Sequence, residues 1–191
     1  MDGAIRLREG RRLRLRSQAL RFARADGGAT AVEMALIAVP FLALTFGIIE
    51  LAMIFLISAS LEDATDAAAR TIRTGQLQTG APAGATATAF QTSICNNLGW
   101  LQADCGSNLY VDVETFPTFA AVTAPAAVVN KVFKPAALSF SPGVPGSIVV
   151  VRAYYQWPLM APLMSQSLQA IGGGKALITS TVAFRNEPYG S

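Results

Sequence analysis

The sequence has 191 residues, of which 52% are hydrophobic and only 14% are charged. This length is enough for one membrane segment and one domain of ordinary size. Because the chain contains no histidine, it lacks the commonest general base, the commonest metal ligand and every Ser-His or Cys-His catalytic pair.

Residues 1–28 form a basic leader, in which eight arginines outnumber three acids and give a charge of +5. The net charge of the whole chain is +3, so the rest of the chain has a net charge of −2. Binding to nucleic acid is one interpretation of the leader. The other is that arginines before a first membrane segment hold that end in the cytoplasm, and we adopt it. The leader itself forms either a disordered tail or a short helix on anionic lipid.

An almost unbroken apolar run extends from residue 34 to residue 57. As a helix its roughly 24 residues span about 36 Å, which exceeds a hydrocarbon core of about 30 Å. A signal peptide has an apolar region of only about 7–15 residues. The run therefore predicts a single transmembrane helix that is retained. With the arginines of the leader on its cytoplasmic side, it places the C-terminal domain outside the inner membrane.

A six-residue pattern stands directly before this run: Gly28, four small or apolar residues, and Glu33. The pattern resembles the cleavage site of type IV prepilins, which implies that a prepilin peptidase cuts between Gly28 and Ala29. Glu33 then becomes the fifth residue of the mature chain, one turn from the new α-amino group. An acid in the first turn of any helix is also favoured, by about 0.3–1 kcal/mol. Met34 departs from the pattern, because an aromatic residue often follows this glutamate.

Glu50 is an acid within the predicted span, and Pro40 and Gly47 are helix-weakening residues there. A central acid costs about 2.5–3.5 kcal/mol on insertion scales, which such an apolar span tolerates. Glu50 either reaches the membrane interface or pairs with a charge on a partner helix.

Beyond the span, Leu61, Ala64, Ala68 and Ile72 recur at helical spacing up to Gly75, a residue that favours a helix end. We therefore expect one helix over residues 29–74, a linker over 75–89 and an extracytoplasmic domain over 90–191. Within that domain the pattern predicts helices at 90–98 and 161–170, strands at 108–115, 147–157 and 175–184, and irregular chain at 116–147. The predicted fold class is α+β, with a mostly antiparallel sheet of three or four strands.

Cys95 and Cys105 are the only cysteines. On the predicted outer side of the membrane they are expected to form a disulfide, with two free thiols as the alternative. A metal site is not expected, since structural zinc requires four ligands. The alternation around Asp112 and Glu114 predicts that both carboxylates face solvent. The glycines before Lys175 lack the remaining features of a phosphate loop.

The sequence also resembles the TadE family, minor pilins or pseudopilins of the bacterial tight-adherence (Tad/Flp) system. The opening of the apolar helix, at residues 28–40 and 46–50, is the more specific part of the resemblance. Shorter pieces resemble longer family members, and they are residues 69–76, 109–113, 145–158 and 183–189, together with the cysteine pair.

This resemblance implies a non-enzymatic role in making or anchoring Flp-type pili for surface adherence. It implies three partners: the inner membrane, a prepilin peptidase and other Tad pilins bound through the N-terminal helix. We expect no catalytic residue, cofactor, nucleic acid or small-molecule substrate. The main alternative is an uncleaved single-pass membrane protein with an extracytoplasmic binding domain, and a hydrolase is a more distant one.

Overall fold

The computed structural model describes residues 26–80, 85–160 and 171–189, and these divide into two units. The first unit extends to Phe46 and the second begins at Gly47. Residues 1–25 of the leader and the helix predicted at 161–170 lie outside the described residues.

Helix α1 extends from Asp26 to Arg73 and contains 48 residues, including Pro40. Its part from Thr30 onward is long and apolar enough to cross a membrane. The helix stops just before Gly75, whose φ of 76° is left-handed. A β-carbon on Gly75 would come within 2.2 Å of the Tyr189 ring, so glycine is required there for two reasons.

In the first unit, α1 carries no covering layer over its described side chains. Every large apolar residue from Val32 to Phe46 is exposed: Val32, Met34, Leu36, Ile37, Val39, Phe41, Leu42, Leu44 and Phe46. The hydroxyl of Thr45 is satisfied locally, because it donates to the Phe41 carbonyl at 2.9 Å. Such a surface is unfavourable in water and suits lipid or neighbouring helices.

In the second unit, the remainder of α1 buries one stripe at helical spacing. Ile57, Leu61, Ala64, Ala68 and Ile72 are each at most 1% exposed, so the predicted periodicity is confirmed. Apolar side chains at spacings of three and four share one face of a helix, and here that face is part of the hydrophobic core.

A three-stranded antiparallel sheet completes this core. Its strands are β1 (Leu109–Phe116), β4 (Ile148–Pro158) and β5 (Lys175–Arg185). They lie in the order β1-β4-β5. Two helices precede them, α3 (Ala87–Asn97) and α4 (Gln102–Asn108). The predicted α+β fold class and its antiparallel sheet are therefore confirmed.

Two predicted irregular stretches contain short regular elements. A one-turn helix, α2, occupies Gln76–Thr79, and α3 begins at Ala87. Between β1 and β4 the chain forms a small hairpin from β2 (Val128–Val129) and β3 (Val132–Phe133). Asn130 and Lys131 adopt positive φ at its turn, as a two-residue hairpin loop requires.

The prediction that Asp112 and Glu114 face solvent is wrong. Asp112 is fully buried, and the Glu114 side chain is only 29% exposed. The segment after β1 folds back over this face of the sheet, as shown by the backbone N–H of Ser139 donating to Asp112 at 2.8 Å. Alternation along one strand cannot show that a later segment covers its polar face.

Candidate functional site

The Gly28–Ala29 peptide bond lies in the first turns of α1, which begins at Asp26. Glu33 is exposed about one turn further on. Gly27 and Gly28 each weaken a helix by about 1 kcal/mol relative to alanine. The backbone at this bond therefore unwinds at lower cost than the apolar helix that follows.

Glu50 lies at the point where α1 enters the second unit. It is 4% exposed, and its carboxylate accepts a hydrogen bond from the backbone N–H of Met160. Neither sequence interpretation, the membrane interface or a partner helix, anticipated a bond to the chain's own backbone. The hydrogen bond offsets part of the cost of burying this charge.

The apolar run therefore serves two purposes. Thr30 to Ile49 covers about 30 Å as a helix, which matches a hydrocarbon core. Ile57, the end of the predicted span, is fully buried in the core of the second unit. The sequence could not separate these parts, because lipid and a protein core select the same residues.

Cys95 and Cys105 are bonded to each other at an S–S distance of 1.95 Å. They connect α3 to α4, and both belong to the core. The disulfide fixes two short helices against the sheet, where neither is long enough to be stable in isolation.

An ion cluster that the sequence analysis missed joins β1, β4 and the segment between them. Arg152 Nη1 donates to Asp112 at 2.7 Å and to Glu114 at 3.0 Å, and its Nη2 donates to the Thr123 carbonyl. Burial alone lowers the pKa of Arg152, but the hydrogen bonds that it donates to Asp112 and Glu114, together with the negative charge of Asp112, outweigh burial and raise that pKa. The guanidinium therefore stays charged and fixes the segment to the sheet.

A sequence signal for this cluster was present. Arg152 is a charge in the middle of an otherwise apolar strand, and a buried charge needs a partner. In the register of the sheet, Arg152 lies directly opposite Asp112.

The described residues contain no group of three or more His, Cys, Asp or Glu side chains placed to hold a metal ion. A cavity of about 390 Å³ beside α3 and β1 is lined by Gln91, Tyr110, Ser139 and apolar side chains. Its lining has no acid–base pair.

The family model described as TadE-like protein matches residues 28–70. We call residues 28–70 the TadE-like segment after this match. It starts at the glycine of the prepilin-like motif and ends within α1. The match does not extend to the C-terminal pieces named above, whose resemblance to longer TadE members stays an expectation. No curated protein and no solved structure matches the chain. The match and the one membrane-length apolar helix among the described residues fit a single-pass membrane protein.

Proposed function

We propose that this protein is a minor pilin or pseudopilin that assists assembly of Flp-type pili for adherence. One observation carries the proposal: within the TadE-like segment, Gly28 and Glu33 stand at the start of an apolar helix whose large apolar side chains are exposed up to Phe46. A helix of this kind is suited first to lipid and then to other helices of its own type.

The proposed sequence of events starts in the inner membrane. The arginine-rich leader holds the N-terminus in the cytoplasm, and the second unit lies in the periplasm. A prepilin peptidase cuts the Gly28–Ala29 bond, so the chain loses a segment of +5 charge. Without that charge, the helix can leave the bilayer lengthwise.

After cleavage, Glu33 lies about one helical turn from the new amino group of Ala29. The carboxylate neutralises either this terminus or that of a neighbouring subunit, and an acid is favoured in the first turn of a helix. Ala29, Ala31, Ala35 and Ala38 allow neighbouring helices to approach closely.

The role is proposed to be non-enzymatic. The Arg152 cluster already uses the paired carboxylates of β1 in a buried ion network. The thiols of the two cysteines are consumed in a disulfide. Structural roles therefore account for these carboxylates and thiols.

Two matched variants, expressed with a prepilin peptidase, test the cleavage step. Gly28→Leu places a bulky side chain at the cut and should leave the leader attached. Gly27→Leu makes the same change one residue upstream and should still yield a chain starting at Ala29. Intact mass of the membrane-extracted protein distinguishes the products. Cutting of Gly28→Leu at the same bond contradicts the proposal. An uncut wild-type chain favours the alternative, a retained single-pass protein with a periplasmic binding domain.

A further inference from the structure

Five residues lie together at one end of the second unit, which we call the Pro158 end: Trp100, Lys131, Trp157, Met160 and Lys175. Pro158 pairs with Lys175 at the last rung of the β4–β5 ladder. The ring centroids of Trp100 and Trp157 are 6.4 Å apart. Gly172 donates to the Lys131 carbonyl at 2.6 Å, which brings the β2–β3 hairpin to the same end.

The apolar helix enters the second unit at this end. The backbone N–H of Met160 donates to the carboxylate of Glu50. Glu50 lies three residues after Gly47, where the second unit begins. The helix finishes at the opposite end, where Arg73 pairs with Glu187 at 3.1 Å. The residues before Gly47 are therefore joined through the peptide chain to the second unit at its Pro158 end.

The chemistry of the Pro158 end suits a lipid headgroup region. Trp100 is 53% exposed and Met160 is 71% exposed. Tryptophan concentrates at the membrane–water interface because it has an apolar body and one polar donor. A lysine near an anionic surface contributes about 1 kcal/mol. Lys131 is exposed, whereas Lys175 is half-buried and its amine donates to Gln156 at 3.2 Å.

Large apolar side chains also lie next to Glu50 in the chain. Ile48, Ile49 and Leu51 flank it and are exposed although they belong to the second unit. Exposed apolar side chains at this point suit the hydrocarbon edge of a bilayer interface, next to the headgroup layer.

We propose that the Pro158 end docks onto the headgroup layer of the bilayer that the protein's own helix spans, with Trp100 as its anchor. This inference rests on the proposed membrane span but not on cleavage. Docking would restrain the second unit at the membrane surface until the helix leaves the bilayer.

The two tryptophans make a direct test possible, because the chain contains no others. The full chain is reconstituted in vesicles of phosphatidylcholine and phosphatidylglycerol, with bromine atoms placed either near the headgroup or deep in the acyl chains. Trp157→Phe leaves Trp100 as the only emitter. Its fluorescence should be quenched more strongly by shallow bromines than by deep ones.

A matched reporter at the far end serves as the control. Phe119 is 56% exposed and follows the end of β1 at which Phe116 pairs with Ile148. Phe119→Trp, combined with Trp100→Phe and Trp157→Phe, should emit without bromine quenching. Wild-type protein should be quenched as well, which guards against a variant that misfolds.

Two results would overturn the docking. One is an unquenched Trp100 in protein that floats with the vesicles, which would favour a protein partner at this end. The other is equal quenching of the Trp100 and Phe119→Trp emitters, which would indicate non-specific adsorption. Protein that fails to float with vesicles would overturn the proposed span itself, and the docking with it.

Discussion

The carboxylate of Glu50 accepts a hydrogen bond from the backbone N–H of Met160, a residue 110 positions later in the chain. This contact ties α1 to the segment that follows β4. It gives an acid in an apolar run a partner within the same molecule.

Glu50→Leu should destabilise the second unit, although leucine is the more favourable residue for membrane insertion. Hydrogen bonds to charged groups contribute about 1.5–3 kcal/mol, and we expect a loss of this size. Glu50→Gln should lose less, because its amide oxygen still accepts from Met160. Urea unfolding in detergent micelles, followed by circular dichroism, measures the difference. A Glu50→Leu protein as stable as wild type would show that the contact contributes nothing.

Arg152→Leu should lower stability by about 3–5 kcal/mol, because it leaves Asp112 buried without its cation. Arg185→Leu is the matched control: Arg185 is exposed at the end of the neighbouring strand, so its loss should cost within about 0.5 kcal/mol. Denaturant midpoints of the two variants compare these costs. Equal midpoints would contradict the structural role assigned to the cluster.

Reduction of the Cys95–Cys105 disulfide should cost about 2–3 kcal/mol, as expected for a loop of this length. Cys95→Ser combined with Cys105→Ser should show the same loss without reductant. Untreated protein should not react with maleimide until it is reduced. Immediate labelling of folded, untreated protein would mean that the thiols are free.

Alkaline pH should destabilise the second unit partly through Tyr154. Burial, and then the negative charge of Asp112, raises the pKa of Tyr154 above its ordinary value of 10.0. The folded state therefore holds this proton more tightly than the unfolded state. The contribution of Tyr154 to the free energy of unfolding is therefore fully present below pH 10. It is lost as the pH rises through the pKa that Tyr154 has in the folded protein. Tyr154→Phe should show a shallower loss above pH 10, and unchanged steepness would contradict the assignment.

The sequence predicted most of the fold because its elements carry local signals. The buried stripe from Leu61 to Ile72 has helical spacing, and β4 is a run of β-branched and aromatic residues. The buried position of Asp112 was not predictable from β1 alone, since it depends on a segment that returns about 27 residues later.

The candidate site was predictable in part for the same reason. The motif at Gly28 and Glu33 is local, and it lies in the residues that the TadE-like family model matches. The hydrogen bond of Glu50 and the clustering of Trp100 with Trp157 depend on how distant segments meet. Spacing along the chain carries no information about such contacts.

The mature N-terminus of the wild-type protein tests the central claim most directly. Protein is extracted from membranes of cells that contain a prepilin peptidase, and its intact mass and N-terminal sequence are measured. The account predicts a chain that begins at Ala29. A chain that retains the arginine-rich leader and begins at Met1 or Asp2 would contradict it.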